Sequence, residues 1–180
     1  EATARALEVV QEKNPDLPEE SKLEIAKAVG IGAIRYPMIS RESNKVVVFD
    51  WQTALDFNGQ AAPYIQYAYV RANSILRKVD QVIPDSSALA GNMTEQEITL
   101  VDLISRLPEE IQKAARDLKP LVITNYAYDL ARAFNDFYTQ CPVLSAEEPL
   151  RSARIRLVAA ARQAIANSLA VMGITAPQAM

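Results

Sequence analysis

Apolar positions recur at intervals of three and four along most of this chain, the period of amphipathic helices. Residues 2–13 predict a short helix closed by Asn14-Pro15. Leu17-Pro18-Glu19-Glu20 opens a second, whose apolar Leu23, Ile25, Ala26 and Val29 carry it to the Gly30/Gly32 pair. Pro37 is expected to break the pattern between Ile34 and Ser40. Lys45-Val46-Val47-Val48-Phe49 is the one run that reads as extended, and Asp50 behind it is a natural N-cap for a short helix through Leu55. An Asn58-Gly59 turn precedes a long helix over 62–83, ended by Pro84, and residues 84–93 read as a polar loop. Thr94-x-x-Glu97 is a capping box for a helix to about Arg106, and Pro108 is read as the first position of another, to Leu118. Lys119-Pro120 precedes a helix through Gln140 that Cys141-Pro142 stops. After a loop at 145–149, the last helix, 149–172, ends on Gly173. The fold class is therefore all-α: a helical bundle over 59–180, preceded by a small helical connector over 1–58.

Helical phase sorts the faces. On the 62–83 helix, Ile65, Ala68, Ala72, Ile75 and Val79 form the stripe expected to be buried, while Tyr64, Tyr67, Arg71 and Lys78 share an adjacent mixed face. On the 120–140 helix, Tyr126, Leu130, Ala133, Phe134 and Phe137 read as core, and Tyr128, Arg132, Asn135 and Tyr138 line another side. Such a face can stack a base, bond its edge and hold a phosphate. It serves equally as tyrosines packed at the core edge with wet hydroxyls, or as plain polar surface. On the last helix Leu157, Ala161, Ile165, Leu169 and Met172 are core positions, and Arg151, Arg154 and Arg162 point elsewhere.

Charge sharpens this picture. The net charge of −3 counts against nucleic-acid binding, but it is unevenly spread. Residues 1–24 carry seven acids and three bases, whereas 61–79 and 149–180 carry arginines and lysine with no acid at all. A chain polarised in this way can offer a cationic surface to phosphates while staying acidic overall. At 180 residues with 49% hydrophobic content there is room for one sizeable core. The single cysteine, Cys141, excludes an internal disulfide and suits a reducing, cytoplasmic setting. No apolar run approaches the roughly 20 residues of a membrane span, and no signal peptide is evident. The chain starts mid-pattern at Glu1 rather than at Met, which predicts a piece of something larger.

Catalytic chemistry is excluded residue by residue. With no histidine there is no Ser/His/Asp or Cys/His arrangement, and the commonest general acid–base is missing. Cys141 has no partner in sequence and reads as a buried thiol. No Cys/His cluster suits zinc and no glycine-rich phosphate loop follows a strand. The Glu109-Glu110 and Glu147-Glu148 pairs are helix-start or loop charges. The chain alone is expected to be inactive.

Ala62-Pro63-Tyr64-Ile65-Gln66-Tyr67-Ala68, within the longer stretch from Asp50 to Lys78, closely resembles the opening of the anticodon-binding domain of arginyl-tRNA synthetases (arginine–tRNA ligases). Lys27 to Tyr36 is similar to the segment which that family carries shortly after its KMSK-type loop. Asn125 to Pro142 resembles its central anticodon-domain helix, and Arg154 to Met180 its terminal helix with a closing Ala-Pro-x-x-Met tail. A HIGH motif is impossible without histidine, and a KMSK-like loop is absent too. The resemblance implies the C-terminal part of an aminoacyl-tRNA synthetase, a cytoplasmic ligase of protein biosynthesis that attaches arginine to tRNA using ATP. It implies tRNA(Arg) and the catalytic domain of the same enzyme as partners, with neither membrane nor DNA. It implies no cofactor in this portion, and ATP with Mg2+ in the whole enzyme. By position it assigns tRNA binding to Tyr64, Tyr67, Arg71, Asn135, Tyr138 and, through the folded-back tail, Met180, with Phe57 to Gln60 as a loop beside them. The competing reading is a non-catalytic helical module for protein interaction or structure, for which binding would be indifferent to nucleic acid.

Overall fold

The computed structural model describes residues 1–79 and 93–180, which form seven helices and, among the described residues, no strand. In chain order these are α1 (Ala2–Lys13), α2 (Glu19–Ile39), α3 (Trp51–Ala54), α4 (Ala62–Arg77), α5 (Glu95–Asp117), α6 (Leu121–Gln140) and α7 (Leu150–Val171). The expected loop after Pro84 lies outside the described residues up to Asn92.

α2 passes through every feature expected to end it. A Cβ at Gly30 would stand 3.0 Å from the backbone of Ala2 and Thr3, so this glycine is where α1 crosses. At Gly32 a Cβ would meet Ala62 Cβ at 3.0 Å and Ile174 Cγ2 at 3.2 Å, which makes it the contact point for α4 and the tail. Both glycines serve close approach rather than termination. Pro37 removes one helical bond near the end of α2, where the buried Tyr36 anchors the turn by donating its hydroxyl to Thr124 O at 3.2 Å. Burial raises the Tyr36 phenol well above its usual range, so it stays a neutral donor.

Pro108 does not open a second helix either; α5 runs unbroken from Glu95 to Asp117. Its apolar stripe, Leu100, Leu103, Ile104, Leu107 and Ile111, stays in phase on both sides of the proline, so packing against α6 outweighs one lost bond. The capping box forms as expected, with Thr94 accepting from the Glu97 N–H at 3.2 Å and Glu97 accepting from the Thr94 N–H at 2.7 Å. Leu118, with φ of 53°, turns the chain into α6, which returns antiparallel: Gln96 meets Gln140 at 2.7 Å and Tyr126 donates to Leu103 O at 2.8 Å. Burial pushes the Tyr126 phenol up to about 12.

α4 ends sooner than expected, at Arg77, where Lys78 and Val79 bond back three residues to Ile75 and Leu76. α7 closes on a Schellman motif: Ile174 N–H donates to Leu169 O and Gly173 N–H to Ala170 O, both at 2.9 Å, with Gly173 at φ 67°. The Lys45–Phe49 run is not a strand. It has no neighbouring strand to pair with among the described residues, and Val46 and Val48 are 87% and 86% exposed.

The main core lies among α4, α5, α6 and α7, built on residues such as Ile65, Leu100, Leu130, Phe134, Phe137 and Ile165. A second, smaller cluster joins α1 to α2 through Ala6, Val10, Ile25, Ala26 and Val29. Met180 packs against both. No helix among the described residues is long and apolar enough to cross a membrane.

Candidate nucleic-acid interface

α4 and α6 lie side by side and run in the same direction. Three pairs mark their seam. Gln60 Nε2 donates to Asn125 Oδ1 at 3.2 Å, the Tyr64 and Tyr128 rings tilt together at 5.3 Å, and Arg71 Nη1 donates to Asn135 Oδ1 at 2.5 Å. The N-cap of α4 has no side-chain partner, and Pro63 in the first turn needs no helical acceptor, so the helix can begin directly after the Asn58-Gly59 turn. That turn is tied by Asn58 N–H donating to Asp56 Oδ1 at 2.8 Å, an Asx turn.

Arg71 is the centre of the site. Its guanidinium carbon lies 4.8 Å from the Tyr67 ring centroid and 4.9 Å from that of Tyr138, so the cation is held between two aromatic rings while Asn135 fixes its azimuth. One N–H is committed to Asn135, leaving the other guanidinium donors for an incoming phosphate or base edge. The rings keep outward faces: Tyr67 is 37% exposed and Tyr138 is 44% exposed.

The guanidinium also borders two concavities. One, of about 440 Å3, is lined by Lys13, Asn14, Phe57, Asn58, Tyr67, Arg71 and Met180, with the Lys13 ammonium 5.5 Å from the Phe57 centroid. The other, of about 330 Å3, runs past Tyr138, Ser74 and Lys78 to Ser145, over a floor of Ile75 and Val143. Neither has an acidic residue in its lining. The groove between α5 and α6, of about 480 Å3, carries Glu95, Asp102, Asp129 and Asp136 beside Arg106 and Arg132, and would repel a polyanion. Among these hollows, the two flanking Arg71 combine cations, stackable rings and amides with no opposing charge.

The structure thus brings together Tyr67, Arg71, Asn135 and Tyr138, and sets Met180 on the wall of the first concavity. Tyr64 lies farther along the seam, paired with Tyr128 rather than with this group. Arg132, expected on the same face as Asn135, turns into the acidic α5–α6 groove. Arg154 departs most from expectation. It is 7% exposed, donates to Glu97 Oε1 at 2.8 Å and to Pro142 O at 2.7 Å, and therefore contributes nothing to a cationic surface on α7. Arg162 donates inward to Asn73 at 3.3 Å, and Arg151 to Leu144 O at 3.2 Å. The accessible positive charge near the site comes from α4 and from Lys13.

Cys141 is buried as expected, with Thr94 Oγ1 3.4 Å from its sulfur. No group of metal-ligating side chains occurs among the described residues. Sequence reasoning missed Lys13 and Asn14, which come from the C-terminal end of α1, far away in the chain, and the buried amides Gln66 and Asn73. Polar residues seven apart next to the apolar stripe of α4 were the available signal for the last two.

Comparison with known proteins places the chain in one family. The model of the DALR anticodon binding domain matches residues 65–180. The arginine–tRNA ligase of Pyrococcus furiosus is 48% identical over 187 residues, covering 100% of this chain and 30% of that protein. The arginine–tRNA ligase of Methanocella arvoryzae is 46% identical over 180 residues, covering 100% of this chain and 31% of that protein. Among solved structures, Thermus thermophilus arginyl-tRNA synthetase superposes with a TM-score of 0.90 at 40% identity, over 99% of this chain and 31% of its own. Plasmodium falciparum arginyl-tRNA synthetase shares the fold, with a TM-score of 0.86 at 21% identity over 99% of this chain and 32% of its own. The chain spans about a third of the length of the relatives it matches, and corresponds to their C-terminal part.

Proposed function

Since this chain belongs to the DALR anticodon-binding domain family and corresponds to the C-terminal part of arginine–tRNA ligases, we propose that it recognises the anticodon region of tRNA(Arg) within such an enzyme. The observation that carries this reading is the Arg71 guanidinium, held between Tyr67 and Tyr138 at the junction of two acid-free concavities. Unstacked anticodon bases lie on Tyr67 and Tyr138, Arg71 takes a phosphate or base edge, and Met180 supplies an apolar wall. Tyr64 supports the site through Tyr128.

The activity of the whole protein is attachment of arginine to tRNA, in the cytoplasm, with ATP and Mg2+ handled by the catalytic part. This chain contributes binding and orientation of the tRNA, and the other partner is that catalytic part. Residues 1–58 act as the connector. The exposed Val46 and Val48, on an extended segment without strand partners among the described residues, suit contact with the rest of the enzyme.

The test is a titration of the chain with an arginine tRNA transcript at two salt concentrations. Neutralisation of several phosphates predicts affinity that falls by orders of magnitude between about 50 and 200 mM salt. Absence of binding, or binding indifferent to salt, would move the reading to a protein-docking module.

A further inference from the structure

We propose that the side-chain amides of Gln66 and Asn73 form a two-point clamp on the segment 174–180, and that they shape the recognition concavity through this clamp without touching RNA. Gln66 is completely buried in α4, where a polar group is retained only if it is bonded. Its Nε2 donates to Ala28 O of α2 at 3.1 Å and to Thr175 O of the tail at 2.8 Å. Gly32 lies beside this bond: a Cβ there would stand 3.2 Å from Ile174 Cγ2 in the tail, and 3.4 Å, an ordinary contact, from the Gln66 nitrogen. Among the described residues the Gln66 Oε1 has no partner, so an apolar side chain would fill the position at lower cost if packing were the only requirement.

Asn73 repeats the arrangement seven residues later. Its Nδ2 donates to Gln178 O at 3.2 Å, and its Oδ1 accepts from Arg162 of α7 at 3.3 Å. Seven helical residues rise about 10.5 Å. Three extended residues, from 175 to 178, span about 10 Å. The tail therefore lies along α4 in register with the two amides, and Arg35 fastens its start by donating to Gly173 O. Past the second clamp the chain turns, and Met180 becomes a wall of the concavity that holds Tyr67 and Arg71. Neither Gln66 nor Asn73 lines that concavity. They are positioning residues, acting through Met180.

Asn73→Asp separates the role from folding, because it keeps the shape and the acceptor for Arg162 while removing the donor to Gln178. In the 180-residue chain labelled with 13C-methyl methionine, Asn73→Asp should move the Met180 methyl resonance towards its random-coil position and leave Met172, the C-cap of α7, in place. An unmoved Met180 resonance would overturn the clamp whatever the RNA result. The RNA half of the inference rests on the proposed anticodon reading. There, Asn73→Asp and Met180→Ala should each weaken binding to an arginine tRNA transcript by roughly tenfold, about 1.4 kcal/mol. The double variant should be no weaker than either one alone. Additive losses would mean that Asn73 acts by another route, and a wild-type chain that binds no tRNA would sink the anticodon reading while the resonance still tests the clamp.

Discussion

Arg71 on α4 reaches Asn135 on α6 at 2.5 Å, across 64 positions of sequence, and that bond sets the guanidinium between two tyrosine rings. A lysine at this position keeps the charge but loses the planar fork and the stacking. Arg71→Lys should therefore raise the dissociation constant for arginine tRNA at least about tenfold, roughly 1.4 kcal/mol. The melting temperature should stay within about 2 °C of wild type, since a partly exposed contact adds little to stability. Anisotropy titration and a thermal melt check both halves. A drop in melting temperature that accounts for the lost affinity would make Arg71 a structural residue.

The two tyrosine environments predict opposite phenotypes. Tyr138→Ala removes a stacking platform and should cost about 1–3 kcal/mol of tRNA affinity with little loss of stability. Tyr64→Ala breaks the ring pair with Tyr128 and should lower stability by roughly 0.5–1.5 kcal/mol beyond the lost burial, with a smaller effect on tRNA. Urea unfolding run beside the titrations separates them. Equal phenotypes would place Tyr64 in the recognition surface.

Gly30 tests the packing of α1 on α2. In an exposed helix, alanine at this position would stabilise by about 1 kcal/mol. Here a Cβ lands 3.0 Å from the backbone of Ala2 and Thr3, which cannot yield as a side-chain tip can. Gly30→Ala should instead destabilise by about 1–3 kcal/mol, and hydrogen exchange should show α1 loosened selectively.

Glu97 carries the clearest pH dependence. Burial pushes its carboxyl up, but the Thr94 bonds and the Arg154 guanidinium outweigh that and hold it below the usual carboxylate range. A depressed carboxylate contributes stability above the unfolded value of about 4.3, and that stability is lost as the pH falls through the folded value. The urea midpoint should therefore fall below about pH 4.3 more steeply in the wild type than in Glu97→Gln. At neutral pH, Glu97→Gln should already cost about 3–5 kcal/mol by leaving Arg154 buried without its anion. Parallel acid curves for the two proteins would contradict this assignment.

The legible parts of the chain were those governed by local rules. The capping box at Thr94, the Asp50 cap and the helix stop at Cys141-Pro142 all formed where short-range hydrogen bonding dictates. The breaks expected at Gly30, Pro37 and Pro108 did not occur, because tertiary packing kept the apolar stripes in phase and used the glycines for close approach. The extended run at 45–49 has strand composition but no partner strand among the described residues. Within the site, the i, i+4 spacing of Tyr67 and Arg71 was readable on one helix, but the meeting with Asn135 and Tyr138 depends on the parallel seam. Helical phase could not foresee that Arg154 would turn inward, since its partner Glu97 lies 57 positions away.

Under the proposed function, the cleft around Arg71 reads an anticodon. The most direct measurement is titration of this chain with an arginine tRNA transcript and with a second transcript altered only in its anticodon loop. The arginine transcript should bind more tightly, with the preference lost in Arg71→Lys. Equal binding of both transcripts by the wild-type chain, or a preference that survives in Arg71→Lys, would contradict it.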